Sequence, residues 1–295
     1  MTETTEKITN FEIKEITAKS ILVPSKLPGC DFVINCYTGC RFGCSYCYAS
    51  FMGRFVDKKI AEWGNYVFAK INSPELLKKE LPKLKDKGKG KTILLSSVTD
   101  PFQGIEAKYH LSEQCLKIIA DYGFEGEISL LTKSPLVLKV LPLLKRIKNV
   151  DVGVTITSTD DAISRYFEKY APAASQRLGI LKKLNDAGLQ TYAFFGPLLP
   201  HFVTHKDEIS KVLAAIHATG TRRFFIEHIN LAPYIKERMF HELKDVDANI
   251  LNTFYSSQSK DYRNELNKVI LDLLKQYDFK LMHEIIFHKE LRMSK

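Results

Sequence analysis

The chain predicts an α/β fold built on a parallel sheet. Strand-like and helix-like segments alternate about six times after residue 30. The strand-like segments are nearly all apolar, as strands covered on both faces must be. At 295 residues the chain stands at the upper edge of what one domain holds, so one large domain with a small appendage is the default.

The first strand is Asp31–Cys36 (DFVINC), and a cysteine-rich loop follows it. Ser73-Pro74-Glu75 starts a helix running to about Leu84, with an N-cap Ser, a Pro at the first helical position and an acid in the first turn. The spacing then predicts strand Thr92–Ser97, helix Ser112–Tyr122, strand Glu127–Thr132, helix Leu136–Ile147 and strand Val150–Thr157. Helical stretches over Asp160–Phe167 and Ser175–Ala187 come next, then strand Leu189–Gly196, helix His205–Ala218 and strand Arg222–His228. Beta-then-alpha alternation gives right-handed crossovers in a parallel sheet. Periodicity alone leaves a doubly wound sheet, a full barrel and a partial barrel all open. From about Tyr234 the pattern weakens, although Asp261–Tyr277 reads as an amphipathic helix and the segment Phe279–Phe287 as containing one more strand. The expected organisation is an N-terminal extension (1–29), a core (30–233) and a mainly helical C-terminal appendage (234–295).

The 43 Lys and Arg outnumber the 34 Asp and Glu, for a net charge of +9. That favours an anionic partner: nucleic acid, a phosphorylated metabolite or an acidic protein. The basic residues are dispersed, however, and the densest run, Lys83 to Lys91, reads as a solvated loop at a helix end. No apolar run approaches the ~18 residues of a membrane span, so no membrane partner is expected. The segment Met1 to Lys14 is polar and mildly acidic, unlike a secretory or transit signal. The expected compartment is therefore the reducing cytoplasm, where a disulfide framework does not form.

Six cysteines stand at 30, 36, 40, 44, 47 and 115, five of them within 18 residues. The run Cys40-Arg-Phe-Gly-Cys44-Ser-Tyr-Cys47 has C-x3-C-x2-C spacing and follows the first strand. Three thiolates on a short loop can hold three irons of a [4Fe–4S] cubane and leave the fourth iron open for chemistry; a protein-supplied fourth ligand marks a structural rather than a catalytic site. Zinc is the rival, with Cys36 or Cys30 as fourth ligand, and inert packing is the other.

With Tyr46 as its aromatic residue, this motif resembles the signature of the radical S-adenosylmethionine (SAM) superfamily. The resemblance implies a partial (β/α)6 TIM-like barrel. It also implies a [4Fe–4S] cluster on Cys40, Cys44 and Cys47, with SAM chelating the open iron. An electron from a flavodoxin- or ferredoxin-type donor then cleaves SAM to a 5′-deoxyadenosyl radical that abstracts hydrogen from the substrate. More of the chain is similar to the spore photoproduct lyase-like (DNA repair photolyase-like) branch. The matching segments are Asn35 to Ala49, Thr99-Asp-Pro-Phe-Gln103, Leu131-Thr-Lys-Ser-Pro135, and Glu168-Lys-Tyr-Ala-Pro172 with Gln176-Arg-Leu178. By that resemblance Tyr46, Tyr48, Thr99, Lys133 and Ser158 contact SAM or its radical, and nucleic acid leads among substrate classes.

Each position also has a plainer reading. Thr99 and Asp100 either hold SAM or substrate, or form a turn capped by the carboxylate. Lys133 either pairs with the SAM carboxylate or is a solvated loop lysine. Thr157 and Ser158 either bond the SAM ribose or cap the next helix. Two departures from the branch stand out. Its hydrogen-returning cysteine is replaced by Ser97, whose O–H bond is too strong for that step, so repair of the spore lesion itself is not expected. Cys36 stands where the branch has proline, and reads as a packed thiol on the first strand rather than a radical relay or second-cluster ligand. Arg177 is expected to pair with Glu168 or Asp186 rather than reach the site mouth. His201 and His205 sit at the end of the fifth strand, Glu227 and His228 at the end of the sixth, and His283 and His288 read as surface or packing residues. The alternative to an enzyme is a nucleic-acid-binding protein whose cluster is only structural or redox.

Overall fold

The computed structural model describes residues 11–243 and 247–288. The first ten residues of the expected N-terminal extension, and 244–246 and 289–295 of the expected appendage, lie outside it. In chain order the elements are β1 (Glu12–Ile16), β2 (Leu22–Pro24), β3 (Phe32–Ile34), β4 (Tyr37–Thr38), β5 (Tyr66–Lys70), α1 (Ser73–Glu80), β6 (Thr92–Leu95), α2 (Glu106–Tyr109) and α3 (Leu111–Tyr122). Then come β7 (Glu127–Thr132), α4 (Leu141–Leu144), β8 (Val150–Ile156), α5 (Asp161–Phe167), α6 (Ala174–Asp186), β9 (Gln190–Leu198) and α7 (Lys206–Ala218). The last are β10 (Arg223–His228), α8 (Pro233–Glu242), α9 (Ala248–Ser256), α10 (Lys260–Leu274) and β11 (Lys280–Leu281).

The main sheet has the order β11-β10-β9-β8-β7-β6-β3-β2. All of its pairings are parallel except β2 with β3. The six expected core strands are β3, β6, β7, β8, β9 and β10, and they follow one another across the sheet without the reversal of a doubly wound fold. Beta2 and β11 lie at opposite edges, so the architecture is a partial, unclosed barrel. Edge strand β2 carries Pro24, whose missing N–H is harmless there.

Apolar content explains this order. Every residue of the central strand β8 is buried, and Ile34, Leu95, Leu130, Ile156, Phe195 and Ile226 join one continuous core. Chain-adjacent strands, each followed by a helix, bury both faces with short connections. The helix expected over 136–147 is instead a 3₁₀ turn, Pro135–Val140, followed by the short α4. Pro142 in the first turn of α4 lacks the N–H that a continuous α-helix needs. The segment 279–287 contains the expected further strand, the two-residue β11, and beyond it a bridge between Glu227 and Ile286.

A second, three-stranded sheet has the order β1-β5-β4, with β1 parallel and β4 antiparallel to β5. It holds a separate buried cluster of Cys40, Phe42, Cys44, Ala49, Trp63, Tyr66 and Phe68. The cysteine loop thus has its own small apolar enclosure.

Close packing also fixes the registry of the central strands. Tyr192 lies over Gly153, and its hydroxyl donates to the Leu130 carbonyl on β7 at 3.2 Å. A Cβ at position 153 would stand 2.2 Å from the Tyr192 ring. Gly153→Ala is expected to cost about 1–3 kcal/mol, the usual range for overpacking. Chemical denaturation of a double-mutant cycle with Tyr192→Ala should show most of that cost vanish when the ring is absent.

Candidate functional site

The cysteine loop leaves the C-terminal end of β3, the end at which barrel enzymes place their chemistry. Its turn brings the backbones of Gly43 (φ +59°) and Gly64 (φ +98°) together; a Cβ at Gly64 would lie 2.9 Å from the Gly43 Cα. Buried Gln103 pins the loop, accepting from the Arg41 N–H at 2.8 Å and donating to the Gly39 carbonyl at 3.1 Å. The Ser45 N–H donates to the Phe167 carbonyl at 2.8 Å. Arg238 on α8 donates to the carbonyls of Gly43 at 2.8 Å, Cys44 at 2.7 Å and Ser45 at 3.3 Å.

Cys40 and Cys44 are buried and Cys47 is half-buried. Burial pushes all three thiols above the ordinary range, Cys44 up to about 12 even though the Lys133 ammonium draws it down. A cationic partner is therefore needed to hold them as thiolates. Cys30 donates to the Phe32 carbonyl at 3.0 Å, and Cys36 lies in the core with its Sγ 3.7 Å from that of Cys115. Neither is turned to the trio as a fourth ligand, and Cys36 is the packed thiol expected. Among the described residues no three His, Cys, Asp or Glu side chains converge on one metal ion; thiolates serving three different irons of a cubane need not. The buried polar atoms Ser45 Oγ, Ser50 Oγ, Trp63 Nε1 and Tyr66 OH, all on or around this loop, have no hydrogen-bond partner among the described residues. Such donors suit cluster sulfurs, so the residues present fit an iron–sulfur group.

Beside Cys44 stands a buried charge network. Glu168, fully buried, accepts from Tyr46 OH and Arg177 Nη2, and from Thr157 Oγ1 at 3.1 Å. The Lys133 ammonium is 3.8 Å from its other oxygen. Burial alone would raise the carboxyl, but Arg177 and Lys133 hold it below the usual carboxylate range. Two cations thus flank the Glu168 carboxylate, and the Lys133 ammonium is close enough to Cys44 to favour its thiolate. Arg177 also donates to the Pro172 carbonyl at 2.7 Å, while Asp186 takes Lys182 instead. The pairing expected of Arg177 is thus with Glu168.

The remaining expected residues form a second group. Ser96 adopts φ +69° and bonds Thr99 Oγ1 at 2.6 Å, so the Thr99 hydroxyl is engaged locally. Ser97 is held by Asn35, which accepts from its N–H at 2.9 Å and donates to its Oγ at 3.2 Å. Tyr48 is 46% exposed, and its hydroxyl donates to the Ser97 carbonyl. Asp100 accepts from Phe102 N at 2.9 Å, Thr132 Oγ1 at 2.7 Å and Lys133 N at 2.7 Å. Its role is the turn cap, not a ligand. Ser158 Oγ accepts from the Asp160 N–H at 2.9 Å, while Asp160 caps α5.

The structure thus gathers Cys40, Cys44, Cys47, Tyr46 and Lys133 on one wall, and Tyr48, Ser97 and Thr99 along the rim. His201 and His205 are exposed, their rings 6.4 Å apart. Glu227 receives His288 at 2.8 Å. Sequence reasoning missed Asn35, Gln103 and Arg238. The first two lie inside segments quoted for the resemblance, so their position was a signal; Arg238 carried none.

A family model described as the radical SAM superfamily matches residues 34–213, more than half of the chain. An uncharacterized protein of Methanocaldococcus jannaschii is 36% identical over 221 residues, covering 75% of this chain and 79% of that protein. A radical SAM Nalpha-GlyT isomerase of Pseudomonas phage M6 is 24% identical over 209 residues, 68% of this chain and 40% of the isomerase. Among solved structures, spore photoproduct lyase complexed with a dinucleoside spore photoproduct aligns with TM-score 0.70 at 14% identity, over 93% of this chain and 83% of the lyase. That likeness is one of fold.

Two outcomes test this geometry. Glu168→Gln should destabilise the protein by about 3–5 kcal/mol in urea melts, because it leaves Arg177 and Lys133 buried without their counter-charge. The second concerns His228, a buried imidazole whose pKa burial, with Arg263 and His288 nearby, lowers to about 3. An imidazole depressed on folding contributes stability above the unfolded value of about 6.5, which is lost as pH falls from there towards 3. Melting curves of His228→Leu should flatten over that window, and unchanged acid sensitivity would exclude this account.

Proposed function

The chain belongs to the radical SAM superfamily, whose members use a [4Fe–4S] cluster and SAM, and from that premise we propose that it reductively cleaves SAM and abstracts a hydrogen atom from a nucleic-acid substrate. The observation that carries the first half is the loop itself. Three thiols share one enclosure, the other cysteines are committed elsewhere, and orphaned N–H and O–H donors surround them. Bound there, cluster and SAM supply a one-electron cleavage that yields a 5′-deoxyadenosyl radical.

The residues divide the remaining work. Cys40, Cys44 and Cys47 hold iron. Lys133 stands behind Cys44, positioned by Glu168, and offers its charge to the SAM carboxylate. Tyr46 flanks the SAM adenine while its hydroxyl is tied to Glu168. Thr99 and Ser158 present hydroxyls to the amino and ribose groups. Tyr48 and Ser97 line the substrate side, joined to each other through the Ser97 carbonyl. Ser97 orients substrate by hydrogen bonding and does not return a hydrogen atom. The reductant is an electron donor of the flavodoxin or ferredoxin class.

The substrate class rests on the surface beside Tyr48. The turn Tyr48–Val56 places the Arg54 guanidinium 5.1 Å from the Phe51 ring and 4.8 Å from the Phe55 ring. Phe55 is 64% exposed, and Tyr234 packs edge-on against Phe51. Exposed rings interleaved with a cation stack bases and attract phosphates. The net charge of +9 and the dinucleoside in the similar lyase favour the same class.

Anaerobic reconstitution should give a brown protein absorbing near ~400 nm, as thiolate-ligated clusters do, that releases 5′-deoxyadenosine from SAM with reductant. Cys→Ala at 40, 44 or 47 should abolish both. A colourless, zinc-loaded protein would sink the proposal. A cluster without SAM cleavage would leave the alternative, a nucleic-acid-binding protein with a structural or redox cluster. Arg54→Ala and Phe55→Ala should each weaken salt-sensitive binding of a single-stranded oligonucleotide, by about 1–3 kcal/mol where a stacked base is lost.

A further inference from the structure

We propose that Arg238 is a positioning residue for the cysteine loop, which sets the conformation of the iron-binding backbone from outside the stretch that defines the family. It rests on the reading that Cys40, Cys44 and Cys47 hold the cluster. Helix α8 (Pro233–Glu242) begins 20 residues beyond the end of the family match at 213. From it Arg238, 8% exposed, reaches three consecutive carbonyls with its guanidinium: Gly43, Cys44 and Ser45.

Three carbonyls turned to one side define the local backbone. The loop makes its tight approach to Gly64 at Gly43, and the following residue is the ligand Cys44. Holding both peptide groups fixes the direction in which the Cys44 Cα–Cβ bond leaves the chain, and with it the sulfur. It also turns the oxygen ends of these dipoles towards Arg238. Freed carbonyls next to the sulfurs would favour the oxidised, less negative cluster, because potential follows the dipoles and hydrogen bonds around the sulfurs. Lysine, with a single head on a flexible stem, cannot reproduce the planar fork. Tyr234 on the same helix donates to the Tyr48 carbonyl at 2.9 Å, so α8 holds the loop on both sides of Cys47.

The test compares wild type, Arg238→Lys and Arg238→Gln as full chains, with two readouts. In the apo protein, iodoacetamide labelling followed by mass spectrometry reports how often each thiol opens to solvent. Both variants should label Cys40, Cys44 and Cys47 faster, by about tenfold or more for loss of a charge-assisted hydrogen bond. Cys36 and Cys115, buried together in the main core, should label at the wild-type rate. After anaerobic reconstitution, the Arg238→Gln cluster should be lost to a chelator faster and show a midpoint potential below that of wild type, with Arg238→Lys between them. Wild-type labelling of the trio together with an unmoved potential would overturn the proposal. Faster labelling of Cys36 and Cys115 would overturn it too, because Arg238 would then support the whole fold. A wild-type protein that takes up no cluster would instead count against the functional reading, and the apo labelling would still decide the role of Arg238.

Discussion

The buried carboxylate of Glu168 is the interaction around which the site is arranged. It closes α5, yet it gathers groups from four other places: Tyr46 from the cysteine loop, Lys133 after β7, Thr157 after β8 and Arg177 from α6. An ion of this kind is tolerated in an apolar interior only when every oxygen is used and cations outweigh the desolvation. Both conditions are met, since burial alone would raise the carboxyl and the two cations pull it down. The requirement runs the other way as well. Arg177 and Lys133 can be buried beside the thiols only because Glu168 is there. Removing any one member disturbs the wall against which the cysteine loop lies.

The sheet order makes that meeting possible. Because strands β3, β6, β7, β8, β9 and β10 follow one another without reversal, their C-terminal ends form a single arc, and successive loops become neighbours. Asp100 shows the effect at the start of the arc. Its carboxylate leaves the loop after β6 and accepts from Thr132 and the Lys133 N–H at the end of β7. This pin sets the backbone of Lys133, and Glu168 then attracts its head. Two carboxylates thus position one lysine, neither of them needing to touch a ligand.

Much of this was legible in the sequence, for identifiable reasons. The central strands were the most readable because both faces of β8 are buried, which forces Val150–Ile156 to be almost wholly apolar, whereas β6, β7 and β10 alternate buried with less buried positions and were read from their apolar content and the helices between them. The grouping of Cys40, Cys44 and Cys47 was readable because their close spacing along the chain keeps them on one loop. An ion pair for Arg177 was readable, but not its partner: Glu168 and Asp186 both stand nine residues away, and only the structure gives Asp186 to Lys182 and Glu168 to Arg177. The small sheet was not: β4 has two residues, β1 pairs through an exposed strand, and β5 stands isolated between turns. Helix Leu136–Ile147 was misjudged because the apolar spacing continued through Pro142, where the hydrogen bonding could not. Asp100 was ambiguous in sequence because a carboxylate at a rim has the same signature as a cap or a ligand. Only its three acceptor contacts separate the two. Arg238 was invisible because long-range contact to a backbone carbonyl leaves no pattern in either partner.

The aromatic surface beside the site follows the same logic. In sequence, Arg54 is an isolated charge between two phenylalanines, and Tyr234 is remote from all of them. The turn from Tyr48 to Val56 and the start of α8 bring them together. The turn that carries these rings begins at Tyr48, one residue after Cys47, so the aromatic surface and the cysteine loop cannot move independently. Tyr48 itself joins the two, with its ring exposed, its hydroxyl on Ser97 and its carbonyl held by Tyr234. A base stacked on this surface would sit at a fixed offset from the rim that Ser97 and Asn35 define. Reach, rather than recognition of a sequence, would then choose which atom of a bound strand meets the radical. That arrangement agrees with a chain whose positive charge is spread over its surface and not concentrated in one base-reading element.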